Sequence, residues 1–255
     1  MPVEVVTVPC RSDNYAYLVH DEGSGQTALV DAPEAAPIVA ALEERGWGLD
    51  QIWITHHHAD HVDGVAELRE RYGAELVGHV KDLGRLPSLD REVSEGDLVH
   101  LGESVAKVVD VSGHTIGHIA YVMEDDRAAF TADSLMALGC GRVFEGTHQM
   151  MWESLKKLMA LPPDTRIYSG HNYGAANGRF ARTIEPGNEA LEARIERIAQ
   201  ADRAGEPIVP ATLEEELETN PFLRATDPFL KESLGMSGAD DAAVFAEIRR
   251  RKDNF

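Results

Sequence analysis

The chain has 255 residues, 43% of them hydrophobic, and a formal net charge of −20. That acidic balance argues against nucleic-acid binding, which needs a basic face, and no apolar run approaches the roughly 20 residues of a membrane span. The start, Met-Pro-Val-Glu-Val-Val, lacks the basic and apolar regions of a secretory signal, and Cys10 and Cys140 give no disulfide framework, so a soluble cytoplasmic protein of one large domain or two smaller ones is expected.

Residues 15–19 and 27–30 flank Asp21-Glu22-Gly23-Ser24-Gly25, the pattern of a β-hairpin. Asp31 closes the second of these strands, as a plain turn residue or as the support of a ligand histidine. A helix is expected over residues 34–45, with Ile38 and Leu42 inward. Gln51-Ile52-Trp53-Ile54 is a short β-branched and aromatic run that reads as a buried strand, and residues 62–72 read as a helix with Val65, Leu68 and Tyr72 on one face. Three later apolar runs, 105–111, 128–132 and 166–170, read as strands that end near a small residue. Residues 150–159 fit helical spacing through Met151, Leu155, Leu158 and Met159, with the methionines in the core. From about residue 175 strand signals fade, and 189–204 (Leu191, Ile195 and Ile198 in register), 211–217 and 241–252 read as helices.

Between the strand 51–54 and the helix that follows lies Thr55-His56-His57-His58-Ala59-Asp60-His61. His and Asp are the ligand types for borderline and harder divalent ions. In extended chain, residues two apart share a side, so His56 and His58 can converge on one ion while His57 points away. Asp60 and His61 arrive as the backbone turns into the helix and can face a second position. Two ions need more ligands than these. The strand 105–111 runs into Ser112-Gly113-His114, 128–132 into Asp133, and 166–170 into His171, so each candidate follows a strand and all can meet on one sheet edge. A carboxylate such as Asp133 can bridge two cations, whereas a neutral imidazole binds one per nitrogen. Singly, each of these residues reads equally as a turn residue; their recurrence behind strands points to ligation.

THHHADH, GHTIGH, FTADSL and YSGHNY, in this order, resemble the metallo-β-lactamase superfamily. Asp13-Asn14-Tyr15, GCGRVFEG, FARTIEPGN and NPFLR narrow the resemblance to the glyoxalase II (hydroxyacylglutathione hydrolase) family, from near residue 3 to about residue 224. It implies an α/β fold: an αββα metallo-β-lactamase-like sandwich as catalytic domain over residues 1–174, and a small C-terminal helical, substrate-binding domain over 175–255. It implies two divalent ions, zinc first, with iron or manganese equally suited to these donors. His56, His58 and His114 fall to the first ion, Asp60, His61 and His171 to the second, with Asp133 bridging; Asp60, Asp133 and His171 are the catalytic candidates. The implied reaction hydrolyses S-D-lactoylglutathione to glutathione and D-lactate. A pair of ions lowers the pKa of bound water from about 15.7 towards about 7 and holds a hydroxide between them, while a cation stabilises the oxyanion. A thiol leaving group of pKa about 8.5 departs with little acid help, so no Ser or Cys nucleophile is required, and Cys140 reads as a small buried turn residue.

The resemblance also points to Arg142, Phe144, Tyr173 and Arg224 for the substrate, a small-molecule glutathione thioester. The family often has Lys where Arg142 stands and Tyr where Phe144 stands, so an expected hydroxyl is missing. Lys231 stands in for a basic residue expected shortly after NPFLR. Arg249-Arg250-Arg251-Lys252 reads as a favourable charge set at a helix C-terminus. His118 is open between ligand support and turn; His20, His79, His100 and His148 match no ligand motif and read as surface or packing residues. The runner-up function is a mononuclear-iron persulfide dioxygenase on the same scaffold, disfavoured by the helical C-terminal extension. A non-enzymatic metal binder is disfavoured by the complete ligand set, and a β-lactamase by the missing secretion signal. No nucleic acid or membrane partner is expected, and the oligomeric state is not legible.

Overall fold

The computed structural model describes residues 3–255, which divide into two compact units. One runs to Asp110 and takes in Gly117–Ala132; the other is formed by Val111–Ile116 and Asp133–Phe255.

In the first unit, β1 (Glu4–Cys10), β2 (Asn14–Asp21), β3 (Gln26–Val30), β4 (Gln51–Trp53), β5 (Glu75–His79) and β6 (Arg91–Val93) form one sheet in that order. It is antiparallel from β1 to β3 and parallel from β3 onward. The hairpin expected around Asp21 to Gly25 is β2–β3. Helix α1 (Ala35–Arg45) connects β3 to β4, while α2 (Ala59–Val62) and α3 (Val65–Tyr72) connect β4 to β5. The register aligns Leu18, Leu29, Ile52 and Leu76 in one row across four strands. All are 0% exposed and cluster with Ile38 and Leu42 of α1 and Val65 and Leu68 of α3. Burial of each such side chain contributes about 2 kcal/mol. Strand alternation turns Tyr17 and Trp53 to the opposite face, where they meet Phe130 and Tyr121 at ring-centroid distances of 5.6 and 5.2 Å. Those two rings sit on a second set of strands, the antiparallel run β7 (Leu98–Leu101), β8 (Ser104–Asp110), β9 (Ile119–Met123) and β10 (Ala128–Ala132).

The helix expected over 62–72 is broken at Asp63 and Gly64. Gly64 N–H bonds to the Ala32 carbonyl and Ala32 N–H to the His61 carbonyl, both at 2.8 Å, so this turn is tied to the end of β3 instead of continuing as one helix.

The second unit holds the hairpin β11 (Leu135–Met136) and β12 (Gly139–Cys140), then α4 (His148–Met159), β13 (Arg166–Ser169), α5 (Gly174–Ile184), α6 (Glu189–Ala204), β14 (Ala211–Thr212), α7 (Leu213–Thr219), α8 (Pro228–Ser233) and α9 (Asp241–Asp253). Met151, Leu155 and Leu158 of α4 are buried as their spacing predicts, and Trp152 packs on Phe245 of α9 at 5.8 Å. The helix expected from residue 211 begins at Leu213, because Ala211 and Thr212 pair with β13 and the Thr212 hydroxyl caps α7 by accepting Glu215 N–H at 3.2 Å. Among the described residues no helix is long and apolar enough to cross a membrane.

Asp21 fastens the end of β2 to the β7–β8 turn. Its buried carboxylate accepts the N–H groups of Ser24 (3.0 Å), Glu103 (3.0 Å) and Ser104 (2.9 Å). Desolvation acts to raise its pKa, but the hydrogen bonds outweigh it and bring the carboxyl from 3.8 down to about 2. A depressed carboxyl stabilises the fold above its unfolded pKa and loses that contribution as pH falls through the folded one. Asp21→Ala should therefore cost about 2–4 kcal/mol by urea denaturation at pH 7, and the deficit should shrink between about pH 4 and pH 2; an unchanged midpoint would remove Asp21 from this role.

Candidate metal centre

The chain leaves the first sheet after Ile54, whose N–H still bonds to the Val77 carbonyl at 2.9 Å. Thr55 to His58 then run into α2. His56 and His61 are 0% exposed, and His58 and Asp60 are half-buried. Behind them lies Asp31, at φ 58 just past β3. One of its carboxylate oxygens accepts Thr55 N–H at 2.8 Å; the other accepts the Thr55 hydroxyl at 2.8 Å and His61 Nδ1–H at 2.7 Å. With Nδ1 donating, His61 Nε2 keeps the lone pair that a metal requires. The Thr55 hydroxyl, having donated to Asp31, accepts from His56 Nδ1 at 3.0 Å, so His56 Nε2 is basic as well. That nitrogen lies 3.1 Å from His58 Nδ1. His61 Nε2 faces Asp60 Oδ2 at 3.9 Å. Asn14 holds Asp60 in turn, its amide donating to the Asp60 carbonyl (3.0 Å) and Oδ2 (3.2 Å). His57 turns away to Asp82 Oδ2, 3.6 Å off, as two-residue alternation predicts. His118 is buried and stacks on His56 at 4.6 Å, which gives it a packing role.

In the second unit, His114 Nδ1 donates to the Arg142 carbonyl at 2.7 Å, and its Nε2 lies 3.4 Å from Asp133 Oδ2. His171 lies two residues past the end of β13 and sets Nε2 3.4 Å from Asp133 Oδ1. A single carboxylate thus presents one oxygen to each of two imidazoles, with His114, Asp133 and His171 only 4%, 5% and 3% exposed. Ala132, immediately before Asp133, takes φ 41, a costly conformation for a residue with a side chain. Gly141 closes this cluster from behind: a Cβ there would stand 2.0 Å from the Asp133 carbonyl oxygen and 3.0 Å from His114 Nδ1. These donor sets fit divalent metal ions, because they are imidazoles and carboxylates, and the rings of His56, His61 and His114 are oriented by an acceptor on the far nitrogen.

Residues 11–171 match the Metallo-beta-lactamase superfamily, and residues 172–255 match the Hydroxyacylglutathione hydrolase C-terminus. A hydroxyacylglutathione hydrolase of Ruegeria pomeroyi is 60% identical over 255 residues, 100% of both chains. The chain belongs to the hydroxyacylglutathione hydrolase family. Among solved structures, ETHE1 from Myxococcus xanthus is similar with a TM-score of 0.66 and 26% identity, covering 99% of this chain and 98% of that one. TTHA1623 in a di-iron-bound form is similar with a TM-score of 0.62 and 25% identity, covering 86% and 100%. The expected α/β metallo-β-lactamase fold with C-terminal helices is therefore the fold of this chain, and its His/Asp clusters fit a metal-dependent hydrolase.

Three of the expected substrate residues lie beside the second-unit cluster. Phe144, 59% exposed, meets the His114 ring edge-on at 5.2 Å, and the Arg142 guanidinium lies 5.9 Å over Phe144. Tyr173, 39% exposed, stacks on His171 at 4.7 Å. Arg224 is engaged elsewhere: its Nε donates to both oxygens of Glu185 at 2.9 Å, and Nη2 to Asp227 at 2.6 Å. Lys231 donates to Asp241 and to the Ala239 carbonyl.

The reading of residues 249–252 as a terminal charge set holds for Arg250, Arg251 and Lys252, which stand in the last turn of α9, and is corrected for Arg249. Arg249 is 4% exposed, donates to the Cys140 carbonyl at 2.9 Å and lies 5.1 Å over the Phe222 ring. Lys252 donates to the Ala176 carbonyl and packs on Phe180, and burial lowers its ammonium to about 8. Burial also raises the Cys10 thiol to about 12 and the Cys140 thiol to about 11, so neither is a nucleophile at neutral pH. His20 stacks on Trp47, His79 is buried and donates to the Gly117 carbonyl, His148 packs on Phe245, and His100 is exposed, in keeping with surface and packing roles.

Sequence reasoning missed Asn14 and Thr55 as orienting residues. Both stood in quoted motifs, DNY and THHH, and a hydroxyl or amide directly beside ligand residues was the available signal. Removing the acceptor behind the rings should loosen metal: Asp31→Ala is expected to weaken metal affinity about 10–100-fold by chelator competition, and wild-type affinity in the folded variant would contradict the orienting role.

Proposed function

We propose that this enzyme hydrolyses S-D-lactoylglutathione and related 2-hydroxyacylglutathione thioesters to glutathione and the 2-hydroxy acid, D-lactate in the first case. The observation that carries the reading is the Asp133 carboxylate, with one oxygen towards His114 and the other towards His171. In this reading His56, His58 and His114 would hold one ion, Asp60, His61 and His171 would hold the other, and Asp133 would serve both. Zinc is the proposed metal, with iron or manganese suited to the same donors. When bound, the ions supply a water activated at neutral pH and a Lewis acid for the thioester carbonyl.

The chain's own residues do the rest. Asp31, Thr55 and the Arg142 carbonyl hold the ring protons on the nitrogens facing away from the ions. Asp60 and Asp133 supply the negative charge that balances the cations. Phe144 and Tyr173 wall the substrate, and Arg142 offers a bidentate fork to a glutathione carboxylate. A local cation is needed because a protein with a net charge of −20 repels an anionic peptide at long range. Residues 175–255 form the substrate-binding domain in this reading, with Arg224 shaping it through Glu185. The thiol departs as thiolate, in keeping with the absence of a reactive cysteine among the described residues. Free Cys10 and Cys140 also suit a reducing cytoplasm. A single-iron dioxygenase would leave the donors Asp60, His61 and His171 without an ion, which favours the dinuclear hydrolase.

The test is a thioesterase assay with S-D-lactoylglutathione against a non-glutathione thioester, with metal analysis on the same sample. The expected result is two ions per chain and preference for the glutathione thioester. Asp133→Ala should abolish turnover and lower metal content with the far-UV spectrum retained; wild-type rates in that variant would remove Asp133 from the mechanism.

A further inference from the structure

The β11–β12 hairpin stands between Asp133 and Arg142 in the chain, and side chains of the C-terminal helices hold its tip. Asn220, at the end of α7 and 0% exposed, donates its amide to the Gly139 carbonyl (2.9 Å), the Met136 carbonyl (3.2 Å) and Glu216 Oε2 (3.0 Å). That same Glu216 oxygen accepts Leu138 N–H at 3.2 Å, while the other pairs with Arg194 of α6. Arg194 and Glu216 are 2% and 1% exposed, and Arg194 also donates to the Thr219 hydroxyl at 2.7 Å. Asn177 of α5 donates to the Ala137 carbonyl at 3.0 Å. Every residue from 136 to 139 thus has a backbone group bonded by a helix side chain. Leu138 sits at φ 57, a region that residues with side chains rarely occupy and that persists where the surroundings over-determine it.

The first leg of the hairpin follows Asp133, and the second leads into Gly141 and Arg142. Leu135 pairs with Cys140, and Gly141 N–H bonds to the Ser134 carbonyl at 3.3 Å. Gly141 then backs onto Asp133, and the next carbonyl, of Arg142, orients His114. A buried ion pair is a weak source of stability by itself. Here its carboxylate serves the Leu138 N–H and the Asn220 amide, which gives the pair a structural task at the turn.

We propose that Asn220 is a positioning residue for the reaction. By clamping the turn at 136–139 it fixes Asp133 relative to the carbonyl that orients His114, and so preorganises metal binding from a helix that supplies no ligand in the assignment above. The inference rests on Asp133 and His114 being ligands.

The wild-type experiment is amide hydrogen exchange on metal-free protein, before and after addition of zinc. Residues 136–142 should already be protected without zinc; protection that arises only on adding zinc overturns the proposal. Asn220→Ala should bind zinc about 10–100-fold more weakly in chelator competition, lose turnover by a similar factor at limiting zinc and regain it in excess zinc. A folded variant with wild-type zinc affinity overturns the proposal. Should the alanine variant fail to fold, Asn220→Asp, of the same shape but without the amide donor, is read by the same affinity measurement, and the wild-type exchange decides independently. A wild type that binds no ion pair or cleaves no thioester refutes the underlying functional reading, whereas a competent wild type matched by Asn220→Ala refutes the positioning role alone.

Discussion

The buried Asp31 carboxylate is the interaction on which the first His/Asp cluster depends. A carboxylate taken out of water must be matched by donors, and Asp31 finds three: the Thr55 N–H, the Thr55 hydroxyl and His61 Nδ1. Satisfying that one buried charge decides which nitrogen of His61 carries the proton and, through the Thr55 hydroxyl, which nitrogen of His56 does. Nothing about a histidine's ring selects one tautomer strongly; the acceptor behind it does. The second unit repeats the device with a backbone carbonyl, that of Arg142, behind His114. Three of the proposed ligand histidines, His56, His61 and His114, are therefore oriented by groups that themselves touch no metal in the assignment.

Much of the arrangement was legible in the chain. The alternation within THHHADH separated His57 from its neighbours, and the recurrence of His or Asp behind an apolar strand picked out His114, Asp133 and His171, which the fold brings together. The hairpin around Asp21 and the inward faces of α1 and α4 followed from hydrophobic periodicity. Other elements were hidden for identifiable reasons. Helix α5 carries Gly174 and Gly178, which lower intrinsic helix propensity. Packing against α6 demands what propensity penalises, since a Cβ at Gly178 would stand 2.8 Å from Ile195 Cγ1. The role of Arg249 was hidden because a run of four cations has no sign of its own; only the docked helix turns Arg249 onto Phe222 and the Cys140 carbonyl while Arg250 and Arg251 stay on the surface. Arg224 looked available in NPFLR, yet Glu185 and Asp227, the first distant in sequence and the second close by, both engage it.

The charge distribution follows one logic. Acidic residues number 44 against 24 Lys and Arg, and many of the cations neutralise neighbours within the fold, as Arg194 does for Glu216 and Lys231 for Asp241. The field near the His/Asp clusters is then governed by few groups: their own carboxylates and exposed residues such as Arg142. Such an arrangement makes the electrostatics there short-ranged and dependent on geometry, because at physiological salt a screening length of about 8 Å removes the rest of the surface from the balance.

The two cysteines have a bearing on product chemistry. Each is walled off from solvent, and burial keeps its sulfur in the protonated form at physiological pH. Thiol–disulfide exchange requires a thiolate that can reach its partner. A catalyst that liberates glutathione by the turnover therefore offers no ready thiolate with which that product, or its oxidised dimer, can form a mixed disulfide.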